Sequence, residues 1–151
     1  MQNQLQIFKK KFDIVEEDRK MEYLLEYGVN EKKETEYVKI TKTLYPFEHH
    51  SIKDQVVLLV RRGKVERYRI ELYMVKDLDD VVSRHNIFAI EFNDYEEEPP
   101  PFLSLNTLEI INSIHQLQKY IKAIMMYIKD VYIMSIDPFM EWVDVVTNHV
   151  S

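Results

Sequence analysis

The chain has 151 residues, 46% of them apolar and 30% charged, the balance of a soluble globular domain with a core of its own. It has no cysteine, which excludes disulfides, thiolate catalysis and Cys-ligated zinc, and its two glycines, Gly28 and Gly63, cannot build a glycine-rich phosphate loop. The net charge of −6 is uneven: residues 1–75 hold 15 Lys and Arg against 13 Asp and Glu, whereas residues 76–151 hold 5 against 13, so the second half disfavours nucleic acid and anionic membranes and favours a basic partner.

The first residues lack the apolar core of a signal peptide, and no stretch approaches the roughly 20 apolar residues of a membrane span. The expectation is one domain over residues 1–151, in the cytoplasm.

Residues 4–18 read ambiguously. Leu5, Phe8, Phe12 and Val15 fit one helical face, which favours a helix, although Phe12, Asp13 and Ile14 also suit an extended chain. Residues 20–27 alternate Met21, Tyr23, Leu25 and Tyr27 with mostly charged neighbours and predict a strand, with a lapse at Leu24. A polar loop over 28–36 leads to a second strand, with Val38, Ile40 and Leu44 on one face, and the two form a hairpin ended by Pro46.

Residues 51–63 carry both signals. Ser51 with Asp54 resembles a helix cap, but the run from Gln55 to Val60 is rich in β-formers, and strand is favoured. Tyr68, Ile70, Leu72 and Met74 alternate with Arg67, Arg69, Glu71 and Tyr73 as in a half-buried strand. A short polar connection over 77–85, with room for one helical turn, precedes an apolar strand over 87–92 expected at the centre of the sheet. Residues 93–101 read as an acidic loop passing into stiff polyproline.

The most periodic stretch follows. Ile110, Ile114, Leu117, Ile121, Ile124 and Ile128 step by four and three, so a single long helix is expected over about 106–129, capped by Asn106 with Glu109. Asn112, Ser113, Gln116, Gln118, Lys119 and Lys122 fall on its polar side. Such a stripe could serve as a homodimer seam, but Ile111, Tyr120 and Met125 widen it beyond a coiled-coil stripe and favour packing on the sheet. Residues 131–136 read as a further strand, and Asp137-Pro138 starts a closing helix over about 138–149. The fold class is therefore α+β: a mainly antiparallel sheet of five or six strands, packed by a long helix and a short C-terminal one.

No catalytic motif emerges. The histidines, His49, His50, His85, His115 and His149, lack metal-ligand spacing, no serine stands in a nucleophile elbow, and neither cofactor nor metal is expected. Glu91 interrupts an apolar strand, and its expected role is an edge or solvent-facing position, or a salt bridge across the sheet to Arg67 or Arg69. Two charged clusters remain. Asp94, Glu96, Glu97 and Glu98 form an acidic run suited to a basic protein partner. Arg61, Arg62, Lys64, Arg67 and Arg69, with Tyr68 and Tyr73 interleaved, could track a phosphate backbone if they share a hairpin. The leading expectation is a non-enzymatic protein-binding module of the inhibitor or immunity type, acting through an acidic or apolar surface. The alternatives are nucleic-acid binding by the basic hairpin and a hydrolase using carboxylates and histidine.

Overall fold

A computed structural model of the chain describes residues 4–15, 17, 19–46, 52–63, 67–78, 81–93 and 101–132. It is α+β, with six antiparallel strands followed by two helices. The strands are β1 (Gln6–Val15), β2 (Arg19–Val29), β3 (Thr35–Pro46), β4 (Ile52–Arg62), β5 (Arg67–Leu78) and β6 (Val81–Asn93). They pair strictly in chain order, each with the next, as a meander. A 3₁₀ turn over Pro101–Leu103 precedes α1 (Leu105–Glu109) and α2 (Ile114–Tyr132). The chain divides into two compact units, Met1–Leu105 and Asn106–Ser151.

Alternation in sequence becomes two faces in the sheet. Register places Tyr23 beside Lys42, Leu25 beside Ile40 and Tyr27 beside Val38, and continues through Leu58 and Val60 to Leu72 and Ile70. Met21, Tyr23, Leu25, Tyr27, Val38, Ile40, Leu58, Val60, Tyr68, Ile70 and Leu72 are all buried on this apolar face. A slip of one residue would turn every one of them toward the other face, so the burial itself fixes the register.

The first segment departs from expectation. Residues 6–15 form a strand, not a helix, with all ten residues in unbroken register with β2. Phe8 and Phe12 stand four apart, a spacing that suits either period. Phe8, Lys10, Phe12 and Ile14 are half-buried, and the residues between them are exposed. The Phe8 ring stacks on Tyr27 of β2 at 5.1 Å, a cross-strand contact no local helix could supply.

The hairpin between β2 and β3 is tighter than the predicted loop. Gly28 lies inside β2, and the turn occupies 30–34. The Asn30 Oδ1 accepts hydrogen bonds from the amides of Lys32 and Glu34, both at 3.0 Å, which stands in for a backbone turn. Lys33 takes the left-handed conformation with φ 65°, the position that usually falls to glycine in such turns.

Residues 51–63 resolve as the favoured strand, since β4 spans Ile52–Arg62. The expected connection over 77–85 does not exist as such, because β5 runs to Leu78 and β6 begins at Val81. The strand expected at the centre is part of β6, which lies at an edge. Register there passes from Leu72 opposite Phe88 to Tyr73 opposite Asn86, leaving Ile87 as the extra residue of a bulge.

The single long helix is also corrected. A cap sits in its middle: the Ser113 Oγ accepts from the Gln116 amide at 3.2 Å, and the Gln116 Oε1 accepts from the Asn112 amide at 2.7 Å. This reciprocal pair is a variant of the S-x-x-Q capping box and starts α2 at Ile114. Upstream, the Ile111 amide bonds the Leu108 carbonyl at 3.3 Å and closes α1. Asn106, expected as a cap, lies within α1.

Phase is lost at that break. Ile110 is 62% exposed, whereas Ile111, Leu117, Ile121, Ile124 and Ile128 are buried, together with Tyr120 and Met125. Gln118, expected on the polar side, is buried with its Nε2 unpartnered. Val131 and Tyr132 belong to α2 rather than to a strand, and the rest of that expected strand and the closing helix lie outside the described residues. Among the described residues no helix is long and apolar enough to cross a membrane.

Gly28 carries a testable consequence. A Cβ there would lie 2.5 Å from Cε1 of Tyr37, its direct cross-strand partner. The Tyr37 hydroxyl donates to the Glu26 Oε2 at 2.7 Å, which holds the ring over the glycine. Gly28→Ala should therefore destabilise by about 1 kcal/mol or more in denaturant titration, through overpacking. In a Tyr37→Ala background the same change should become neutral or stabilising, because the steric conflict is gone and the less flexible unfolded chain favours alanine.

Candidate functional site

The face of the sheet opposite the apolar one is laced with charge. Register sets Arg61 opposite Arg69, and Arg69 opposite Glu91. Arg69 donates through Nε to the Glu71 Oε1 at 2.8 Å and through Nη1 to the Glu91 Oε1 at 3.2 Å. The Arg61 Nε lies 3.6 Å from the second Glu71 oxygen. Glu71 is buried, so its carboxylate needs both guanidiniums. Glu91 meets both expected alternatives, an exposed position on an edge strand and a salt bridge to Arg69.

Arg62 points to the other face. It lies 3.3 Å from Glu34 and 3.7 Å from Glu36, with its guanidinium 5.8 Å from the Tyr68 ring centre. The predicted basic ribbon is thus divided between two faces. Arg61, Arg62 and Arg69 each meet carboxylates of this chain. Arg67 begins β5, and Lys64 lies outside the described residues. The acidic run Asp94, Glu96, Glu97 and Glu98 also lies outside them.

His85 and His115 are exposed, and His49, His50 and His149 lie outside the described residues. Among the described residues no three histidine, aspartate or glutamate side chains are grouped as metal ligands.

The feature that sequence reading missed is the edge formed by β1. Along it, Leu5, Ile7 and Val15 are 37%, 54% and 69% exposed. Lys9 lies 3.8 Å from Glu26 and Lys11 lies 3.2 Å from Glu22, yet both lysine side chains stay more than half exposed. The other edge, β6, is broken by its bulge, a common way to blunt an edge. β1 has no such break. The signal was present as the alternation of Phe8, Lys10, Phe12 and Ile14, but the competing helical spacing masked it.

Comparison with known proteins finds no family model, no curated relative and no solved structure that matches the chain.

Among the described residues, three tyrosines have perturbed hydroxyls. Burial raises Tyr23 and Tyr120 above the ordinary range, and the Tyr23 hydroxyl has no hydrogen-bond partner. Tyr37 is pushed up to about 12, first by desolvation and then by its hydrogen bond to the negative Glu26. Its folded pKa exceeds the unfolded value, so its stabilising contribution is complete below about pH 10 and is lost as pH rises through about 12. Melting temperature should fall across that window, and Tyr37→Phe should make the fall shallower. Identical alkaline profiles for the two proteins would contradict the assignment.

Proposed function

We propose that the protein is a binding module rather than an enzyme, and that it takes a protein partner along the outer edge of β1. A small inhibitor or immunity-type protein is the concrete form of this reading. One observation carries it: a ten-residue edge strand, without a bulge, with apolar Ile7 and Val15 more than half exposed. An edge strand presents backbone donors and acceptors in a row and is a ready template for another strand. Of the acidic and apolar surfaces that the sequence offers, the apolar one has this counterpart among the described residues.

The nucleic-acid reading is weakened by the same geometry. A phosphate tracker needs several cations on one accessible face. Here Arg61 and Arg69 share Glu71 on one face, while Arg62 turns to Glu34 and Glu36 on the other.

The test compares capture from extracts of the native cell by the wild-type protein and by the paired variant Ile7→Lys with Val15→Lys. Both positions are exposed, so the variant should fold with a stability change of about 0.5 kcal/mol or less. A protein retained by the wild type and lost from the folded variant is the expected result. Equal retention by the two would overturn the assignment to β1.

A further inference from the structure

The bulge in β6, at the opposite edge from β1, decides which side chains share a face with Tyr73. On β5, Arg69, Glu71, Tyr73 and Val75 alternate with Ile70 and Leu72 and belong to the charged face. Beyond the extra residue Ile87, register sets Asn86 opposite Tyr73 and Arg84 opposite Val75, so both join that face. Without the extra residue, Ile87 and His85 would stand opposite Tyr73 and Val75, and Asn86 and Arg84 would turn to the apolar face. The bulge thereby assembles a compact group. The Arg84 guanidinium lies 3.8 Å from the Tyr73 ring centre, and its Nε donates to the Asn86 Oδ1 at 3.1 Å.

We propose that Arg84, held between Tyr73 and Asn86, is a receptor for a carboxylate group, supplied by an acidic side chain of a partner or by a free organic acid. Arg61, Arg62 and Arg69 each direct their guanidiniums to carboxylates of this chain. Arg84 meets none among the described residues: its contacts are the Asn86 amide oxygen and the Tyr73 ring. Asn86 takes up Nε, which leaves the N–H donors of both Nη groups for an oxyanion docking end-on. Arg84 and Asn86 are exposed, so this fork is within reach of a ligand.

The group differs from an ordinary surface arginine in being ordered in advance. A free surface arginine loses rotamer freedom when it pairs, which keeps exposed ion pairs weak. Here the ring of Tyr73, itself buried, fixes the plane of the guanidinium, and Asn86 fixes its rotation. The fork also selects among anions. A phosphate dianion calls for more than one cation, and the next row of this face places Lys53 beside Asp77, residues of opposite sign. One guanidinium, in a protein of net charge −6, matches a carboxylate monoanion.

The experiment follows the Arg84 Nε–H and Asn86 side-chain amide signals of the full-length, isotope-labelled protein by NMR. Sodium acetate, an end-blocked peptide with one glutamate, inorganic phosphate and sodium chloride are added at matched ionic strength. Acetate or the peptide should shift both signals to saturation, while the Arg69 Nε–H, already bonded to Glu71, stays in place. Saturation by either supports the receptor, and the tighter of the two names the source of the carboxylate. Arg84→Lys keeps the charge, loses the fork and leaves an exposed position; it should weaken acetate binding, read at Asn86, by about threefold or more. Equal responses to acetate and chloride, or an affinity unchanged in Arg84→Lys, would reduce Arg84 to a solvated charge and overturn the proposal. Tighter binding of phosphate than of either carboxylate would overturn the choice of ligand.

Discussion

The fold depends on the antiparallel register that carries apolar side chains from β2 to β5, shifting only at Gly28 and Val29 where β2 nears its turn. Tyr23, Leu25 and Tyr27 are buried because Ile40 and Val38 stand beside them, and these in turn are matched by Leu58 and Val60 and then by Leu72 and Ile70. Each strand is long, from 10 to 13 residues, and none is buried by its own local contacts. The ladder therefore works as a unit. Its polar face supplies a second set of cross-strand contacts, from Lys11 and Glu22 at one end to Arg69 and Glu91 at the other. Individually such exposed pairs contribute little, but they fix the same register that the apolar face demands.

This constraint explains why some elements were legible in the sequence. β3 and β5 alternate clearly, β2 does so apart from Leu24, and β4 is rich enough in valine and leucine to outweigh the helix-cap signal of Ser51 and Asp54. β1 was not legible, because Phe8 and Phe12 satisfy two periods at once. The strand Gln6–Val15 is decided by pairing with β2, because its local pattern allows both periods. β6 misled in position: its apolar run suggested a central strand, but its place in the order is the edge. The helical break was legible and passed over. Ser113 and Gln116 stand at capping-box spacing inside a run whose apolar periodicity drew attention away from them.

The candidate site was less legible than the fold. Arginine spacing suggested a basic ribbon, but spacing says nothing of what lies across the sheet. Glu71 sits two residues from Arg69 on the same strand and reaches Arg61 on the next, so the cluster is neutralised within the protein. β1 differs in exposure rather than in pairing, since Lys9 and Lys11 touch Glu26 and Glu22 and still stay more than half exposed. Its lysines looked like scattered surface charge on a helix, and only the strand geometry brings them to one edge with Ile7 and Val15. The sheet pairs Arg61 and Arg69 with its own carboxylates and leaves β1 at its margin.

That margin can be measured directly by amide hydrogen exchange in the isolated protein. An open antiparallel edge pairs only alternate amides of β1 with β2 and turns the others outward. The account predicts that within Gln6–Val15 slowly and rapidly exchanging amides alternate, whereas consecutive amides in β3 and β4 are all slow. Uniform protection along β1, equal to that of β3, would mean that its edge is already occupied, and would contradict the assignment of β1 as the binding strand.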